Sequence, residues 1–119
     1  MGGSFARPRP RTYSKAVWDE ALLDDVRRRL ADTVRPLRLV AFGSRARGDA
    51  RPDSDLDLMV VTTQPGSLLD RGRAIYRHLL GLPVPVDLVI YTPEEYQRLR
   101  RFPSTVAGIA DREGRVLVG

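Results

Sequence analysis

Apolar residues recur every four positions through Trp18, Leu22, Val26, Leu30 and Val34, the spacing of one face of an amphipathic helix. Asp24, Arg28, Asp32 and Arg35 fall on the opposite, solvated face. Ser14 supplies an N-cap, Asp19 and Glu20 suit the positive end, and Pro36 ends the helix. Two short β-rich apolar runs follow, Leu37–Phe42 (LRLVAF) and Leu56–Val61 (LDLMVV), both with the character of central strands. The stretch between them, GSRARGDARPDSD, is too polar for a core and holds Gly43, Gly48 and Pro52 as breakers, so chemistry is expected there.

Ser67 and Asp70 make a capping-box pattern ahead of Leu68, Leu69, Ile75, Tyr76, Leu79 and Leu80, with Gly81 placed to close that helix. Val84–Tyr91 (VPVDLVIY) reads as a third strand. Thr92-Pro93-Glu94-Glu95 then provides an N-cap, an N1 proline and an N3 glutamate for the next helix. Pro103 breaks it, Ser104 caps a last short helix through Ala110, and Gly114 precedes a terminal strand, Arg115–Val118. The order predicts an α/β domain, a small mixed β-sheet flanked by helices. If the polar stretch turns the chain back, the first two strands are antiparallel, and a helical crossover makes the third parallel to the second. The end of the first strand and the beginnings of the other two then share one end of the sheet.

Length confines this to a single domain: 119 residues leave no room for a second core. Met1–Thr12, rich in Gly, Pro and Arg, reads as a mobile basic tail, with the folded unit over residues 13–119. No apolar run approaches the roughly 20 residues that span a bilayer, and no signal-peptide core is present, so a cytoplasmic location and no membrane contact are expected. The absence of cysteine excludes a disulfide framework, Cys-type zinc sites and thiol catalysis. The single histidine, His78, would have to carry any Ser-His-Asp triad. The net charge of +5 invites a nucleic-acid reading, but Arg7, Arg9 and Arg11 supply three of those charges and the remaining 107 residues carry only +2. That distribution argues against a dedicated nucleic-acid site.

The chemistry concentrates at the convergent end. Asp55 and Asp57 lie two apart, on one face of a strand and about 6.6–6.8 Å apart along it. Asp57 sits between Leu56 and Leu58, and Asp87 between Val86 and Leu88, where a charge needs a partner or a metal. Three carboxylates in one small volume repel and raise their own pKa values, which a hard divalent cation relieves. Mg²⁺ takes one or two carboxylates plus substrate phosphates. Gly43 permits close backbone approach, Ser44 offers a hydroxyl and an N–H at the start of a short helix, and Arg45 and Arg47 can neutralise phosphate. Each feature also has an ordinary alternative: Asx turns at Asp53 and Asp55, an N-cap at Ser44, a backbone bond at Asp87, surface ion pairs at the arginines.

Gly43-Ser44, ten residues, then Asp55-x-Asp57, with Ala46-Arg47-Gly48 and Ser54 inside the interval, resembles the signature of the minimal nucleotidyltransferases of the DNA polymerase β superfamily. Val86-Asp87-Leu88-Val89 is similar to that family's third-carboxylate strand. The resemblance spans roughly Leu37 to Glu95. It implies a polymerase β-like fold with core strand order 1-2-3, and ATP and Mg²⁺ bound at the convergent end. It further implies Asp55, Asp57 and Asp87 as the metal carboxylates, Asp87 also deprotonating the acceptor hydroxyl, and Gly43, Ser44 and Arg47 holding the nucleotide. The reaction implied is transfer of AMP with release of pyrophosphate.

Little chain remains beyond this core to hold an acceptor, so another protein holds the substrate or is the substrate. Stand-alone minimal members resemble MntA-type antitoxins, which pair with a HEPN-domain ribonuclease toxin and add AMP to its tyrosine. Two rival expectations stand beside this: a binding module that masks its partner without catalysis, and an aminoglycoside-type adenylyltransferase completed by a second copy in a homo-oligomer. His78 and the Arg98, Arg100 and Arg101 cluster read as solvated surface, and Trp18, Tyr76, Tyr91 and Tyr96 as core or interface packing.

Overall fold

The computed structural model describes residues 15–119, with side chains from Asp19 onward. The basic tail and the Ser14 cap lie outside the described residues. Helix α1 (Lys15–Ala31) leads into strand β1 (Arg38–Phe42), the one-turn helix α2 (Ser44–Arg47) and strand β2 (Leu56–Val61). Helix α3 (Leu68–Tyr76) continues as a 3-10 turn (Arg77–Leu79) and returns the chain to strand β3 (Val86–Tyr91). Helices α4 (Pro93–Leu99) and α5 (Val106–Glu113) and strand β4 (Arg115–Val118) complete the order.

The sheet runs β3-β2-β1-β4, with β1 antiparallel to both β2 and β4, and β2 parallel to β3. The expected 1-2-3 core is present, with β4 added on the far side of β1. Alternation along the strands divides the interior in two. Leu39, Ala41, Leu56, Leu58, Val60 and Ile90 pack with Leu22, Leu23, Val26 and Leu30 of α1 and with Ile75 and Leu79. Val40, Met59 and Val61 pack on the other face with Tyr96 of α4 and Ala107 and Ala110 of α5. Both faces of β2 are covered, which is why Leu56–Val61 reads as a nearly continuous apolar run with one exception, Asp57.

The bounds of α1, β3 and α5 differ from the sequence expectation. Helix α1 stops at Ala31 rather than at Pro36. The Leu30 carbonyl accepts from both Val34 N (3.1 Å) and Arg35 N (3.3 Å), and Arg35 adopts φ 52°, closing the helix a turn early. Strand β3 begins at Val86 rather than Val84, because Pro85 has no N–H for the ladder, although its carbonyl accepts from Leu56 N (2.8 Å). The last helix is capped by Thr105, not Ser104, and runs to Glu113 instead of Ala110. Thr105 Oγ1 accepts from Gly108 N (3.0 Å) and donates toward the carbonyls of Leu99 and Phe102. Gly108 packs so closely there that an added Cβ would overlap the Phe102 carbonyl.

Both predicted capping boxes are formed. At α4, Thr92 Oγ1 accepts from Glu95 N (3.1 Å) and Glu95 Oε1 accepts from Thr92 N (2.8 Å), which holds the Glu95 carboxyl below its ordinary range. This box fixes where β3 ends and α4 begins, and so where Tyr96 enters the second core. Thr92→Ala is expected to lower stability by about 1 kcal/mol in urea denaturation, with an unchanged denaturant slope.

Candidate active site

Strand register assembles the site. Phe42 pairs with Asp57 across β1 and β2, and Asp57 pairs with Asp87 across β2 and β3. Asp55 stands just before β2, two residues from Asp57 and therefore on its side of the sheet. The chain leaves β1 through Gly43, with φ 74° and ψ −159°, a conformation that side chains rarely tolerate. A Cβ built on Gly43 would overlap Asp57 Oδ2 and lie 3.2 Å from its Cγ. The missing side chain at position 43 is thus the space in which the Asp57 carboxylate sits.

Asp57 is half-buried, whereas Asp55 and Asp87 are exposed. The exposure of Asp87 corrects the expectation of a charge trapped in an apolar strand: β3 is the sheet edge, and the start of the strand opens to water. Burial first, then the negative charges of Asp87 and Asp55, push the Asp57 carboxyl above its ordinary value, and Arg47 partly opposes them. The three aspartates are therefore close enough to act on one another. Among the described residues, however, no three carboxylate or imidazole groups form a ready-made metal cage. A small oxygen-seeking cation that takes one or two carboxylates and completes its shell with phosphate oxygens fits this arrangement.

The two arginines of α2 have different roles. Arg45, expected to face phosphate, is fully buried instead. Its Nη1 donates to Asp19 Oδ1 of α1 (3.0 Å), and its Nη2 donates to the carbonyls of Pro52 and Ser54 (both 2.9 Å). Nε also reaches Ser54 O (3.3 Å). This clamp ties the first helix to the loop that delivers Asp55. Asp19 was expected to serve the helix dipole; it is buried as the counter-charge of Arg45. No local pattern signals the pair, because its members lie 26 positions apart. Arg47 is exposed beside the site and shared between Asp49 (3.3 Å) and Glu113 (3.4 Å).

Of the predicted residues, the structure brings Gly43, Asp55, Asp57 and Asp87 to one end of the sheet, with Ser44 and Arg47 on the adjoining turn. Ser44 begins α2, where Ala46 N (3.1 Å) and Arg47 N (3.0 Å) turn back to the Gly43 carbonyl. His78 lies on the 3-10 turn between α3 and β3, where its carbonyl accepts from Arg29 Nη1 (3.3 Å). The Arg98, Arg100 and Arg101 group is exposed, as expected of a solvated face, with Arg100 paired to Asp111 (2.6 Å) and over Tyr96, and Arg101 over Phe102. Tyr96 is buried and donates its hydroxyl to Asp111, as a core residue would, whereas Tyr76 is exposed.

A mixed sheet with a Gly-Ser turn facing an Asp-x-Asp strand defines a class of protein, the nucleotidyltransferase domain. Residues 21–107 match the family model of that domain, and the chain belongs to this family. Two solved structures share the fold. One is a candidate nucleotidyltransferase from Sulfolobus solfataricus, 21% identical with a TM-score of 0.57, covering 91% of this chain and 90% of that one. The other belongs to a toxin–antitoxin structure with AMP-PNP, 21% identical with a TM-score of 0.60, covering 82% of this chain and 73% of that one. No protein of curated function matches the sequence.

Two outcomes follow from the geometry. Asp19→Ala leaves the Arg45 charge buried without its carboxylate and is expected to destabilise the fold by about 3–5 kcal/mol in urea denaturation. Because the folded chain holds the Asp57 proton above the ordinary value of 3.8, it binds more protons than the unfolded chain in the interval above that value. Stability therefore falls as pH rises through the interval. Asp57→Asn, measured by thermal melts in a chelating buffer, is expected to raise the midpoint at neutral pH and to flatten that pH dependence.

Proposed function

We propose that this chain is a Mg²⁺-dependent nucleotidyltransferase that moves AMP from ATP to a hydroxyl group of a partner protein. The observation that carries the reading is the Asp57 carboxylate seated in the space left by Gly43, in register with Asp87 and within the field of Asp55. Asp55 and Asp57, with Asp87, would hold the divalent cation, which when bound supplies positive charge to the triphosphate. Ser44 at the start of α2 and Arg47 at its end would contact phosphate oxygens, Arg47 by exchanging its Asp49 and Glu113 partners. Asp87, exposed at the start of the edge strand, would take up the acceptor's proton. The acceptor oxygen bonds to the α-phosphorus, its proton passes to Asp87, and the bond from the α-phosphorus to the bridging oxygen breaks with pyrophosphate leaving.

The partner proposed is a HEPN-domain toxin modified on a tyrosine, with this chain as its antitoxin. The likeness to a chain of a toxin–antitoxin structure with AMP-PNP supports that choice. No helix among the described residues is long and apolar enough to cross a membrane.

The test is incubation with α-labelled ATP, Mg²⁺ and a HEPN protein encoded beside this one, followed by peptide mapping. Label on a partner tyrosine is expected, falling to background with chelator or in the Asp55→Ala, Asp57→Ala double variant. Tight partner binding without label would replace this reading with a masking module. Label on an aminoglycoside alone would replace it with drug modification.

A further inference from the structure

Helix α3 and the 3-10 turn that continues it carry two apolar faces. Ile75 and Leu79 point into the core, whereas Leu68 and Leu69 (each 62% exposed), Tyr76 (41%) and Leu80 (64%) look outward. The outward set forms one wall of an open groove of about 1110 Å³, and Leu88, Val89, Ile90 and Tyr91 of β3 form the other. Strand β3 is the sheet edge, so no neighbouring strand covers this side. The volume lies at the upper end of the roughly 300–1,000 Å³ range of small-molecule pockets, and an exposed apolar surface of this kind is one mark of a macromolecular interaction site.

Charge selects the occupant. Arg71, Arg73 and Arg77 rim the groove. Arg71 donates to the Gly66 carbonyl (3.3 Å), while Arg73 and Arg77 make no ion pair among the described residues. The lining acid, Glu95, is already engaged by the Thr92 amide (2.8 Å). A second copy of the chain meeting this face across a two-fold axis would bring the same arginines against each other. A nucleic acid would leave the leucine wall in water.

We infer that this groove docks an amphipathic helix of a partner protein, its apolar face seated between α3 and β3 and its flanks carrying carboxylates against Arg73 and Arg77. The two apolar walls suit the helix-in-groove mode, in which apolar anchors give affinity and the charged rim gives specificity. The groove reaches Leu88, one residue beyond Asp87 on the edge strand, with alternation turning the two side chains to opposite faces of the sheet. Docking itself does not require the transferase reading, whereas presentation of an acceptor hydroxyl to Asp87 rests on it.

The probe is a synthetic helical peptide with Leu at i, i+3, i+4 and i+7 and Glu on both flanks, titrated into isotope-labelled protein and followed by amide NMR. Shifts confined to α3, the 3-10 turn and β3 are expected, with the Lys-flanked version of the peptide binding at least about tenfold more weakly. Arg73→Glu with Arg77→Glu, both at exposed positions, should invert that preference and leave the fold intact. Equal affinity for the two peptides, shifts elsewhere or no shifts would overturn the inference. So would a self-association in sedimentation that Leu69→Glu abolishes, since a second copy would then own the groove. Peptide binding without nucleotide transfer to any partner would fault the transferase reading alone.

Discussion

Parallel pairing of β2 with β3 sets Asp57 beside Asp87, and this placement of like charges at one strand end is the constraint on which the site depends. Left alone it opposes folding, because burial and the neighbouring aspartates all favour the protonated form of Asp57. The fold keeps the arrangement by two devices. Gly43 surrenders its side chain so that the carboxylate can sit against the backbone. Arg45, from inside the protein, grips the carbonyls of Pro52 and Ser54 and so fixes the loop that ends in Asp55. Under the function proposed above, the carboxylates held together at such cost would receive positive charge from a cation shared with nucleotide phosphates.

The two arginines of α2 show how far sequence carries such an argument. Both stand in the same polar stretch and both looked suited to phosphate, yet Arg45 turns inward and Arg47 outward. Local composition cannot distinguish them, since the difference lies in Asp19, which only the packing of α1 brings near. By contrast, Gly43, Asp55 and Asp57 were legible because strand period and glycine chemistry act over neighbouring residues. The capping boxes at Ser67 and Thr92 were legible for the same reason. The end of α1 was not, because an early closure onto the Leu30 carbonyl competes with the proline stop further on. Asp87 was found from its apolar neighbours, although the physical reason differed: it lies exposed at the start of an edge strand.

The partition of the sheet also separates roles. Helix α1 and the inner face of α3 bury one side, and α4 and α5 bury the other. The carboxylate end belongs to the α4 and α5 side, where Asp57 precedes Met59 on the same face of β2. The outer face of α3 stays outside both cores, and no strand pairs with the outer edge of β3. Family membership accounts for the strand end, and the arginine-rimmed groove is where this chain has surface to spare for a macromolecular partner.

The central claim is that the aspartates at the strand end bind nucleotide through a divalent cation. Isothermal titration calorimetry of ATP into the purified chain, with Mg²⁺ and then with excess chelator, tests it most directly. The account predicts saturable binding that requires Mg²⁺ and disappears when Asp55 and Asp57 are replaced by Ala. ATP binding of equal strength in chelator, or binding unaffected by the two replacements, would contradict it.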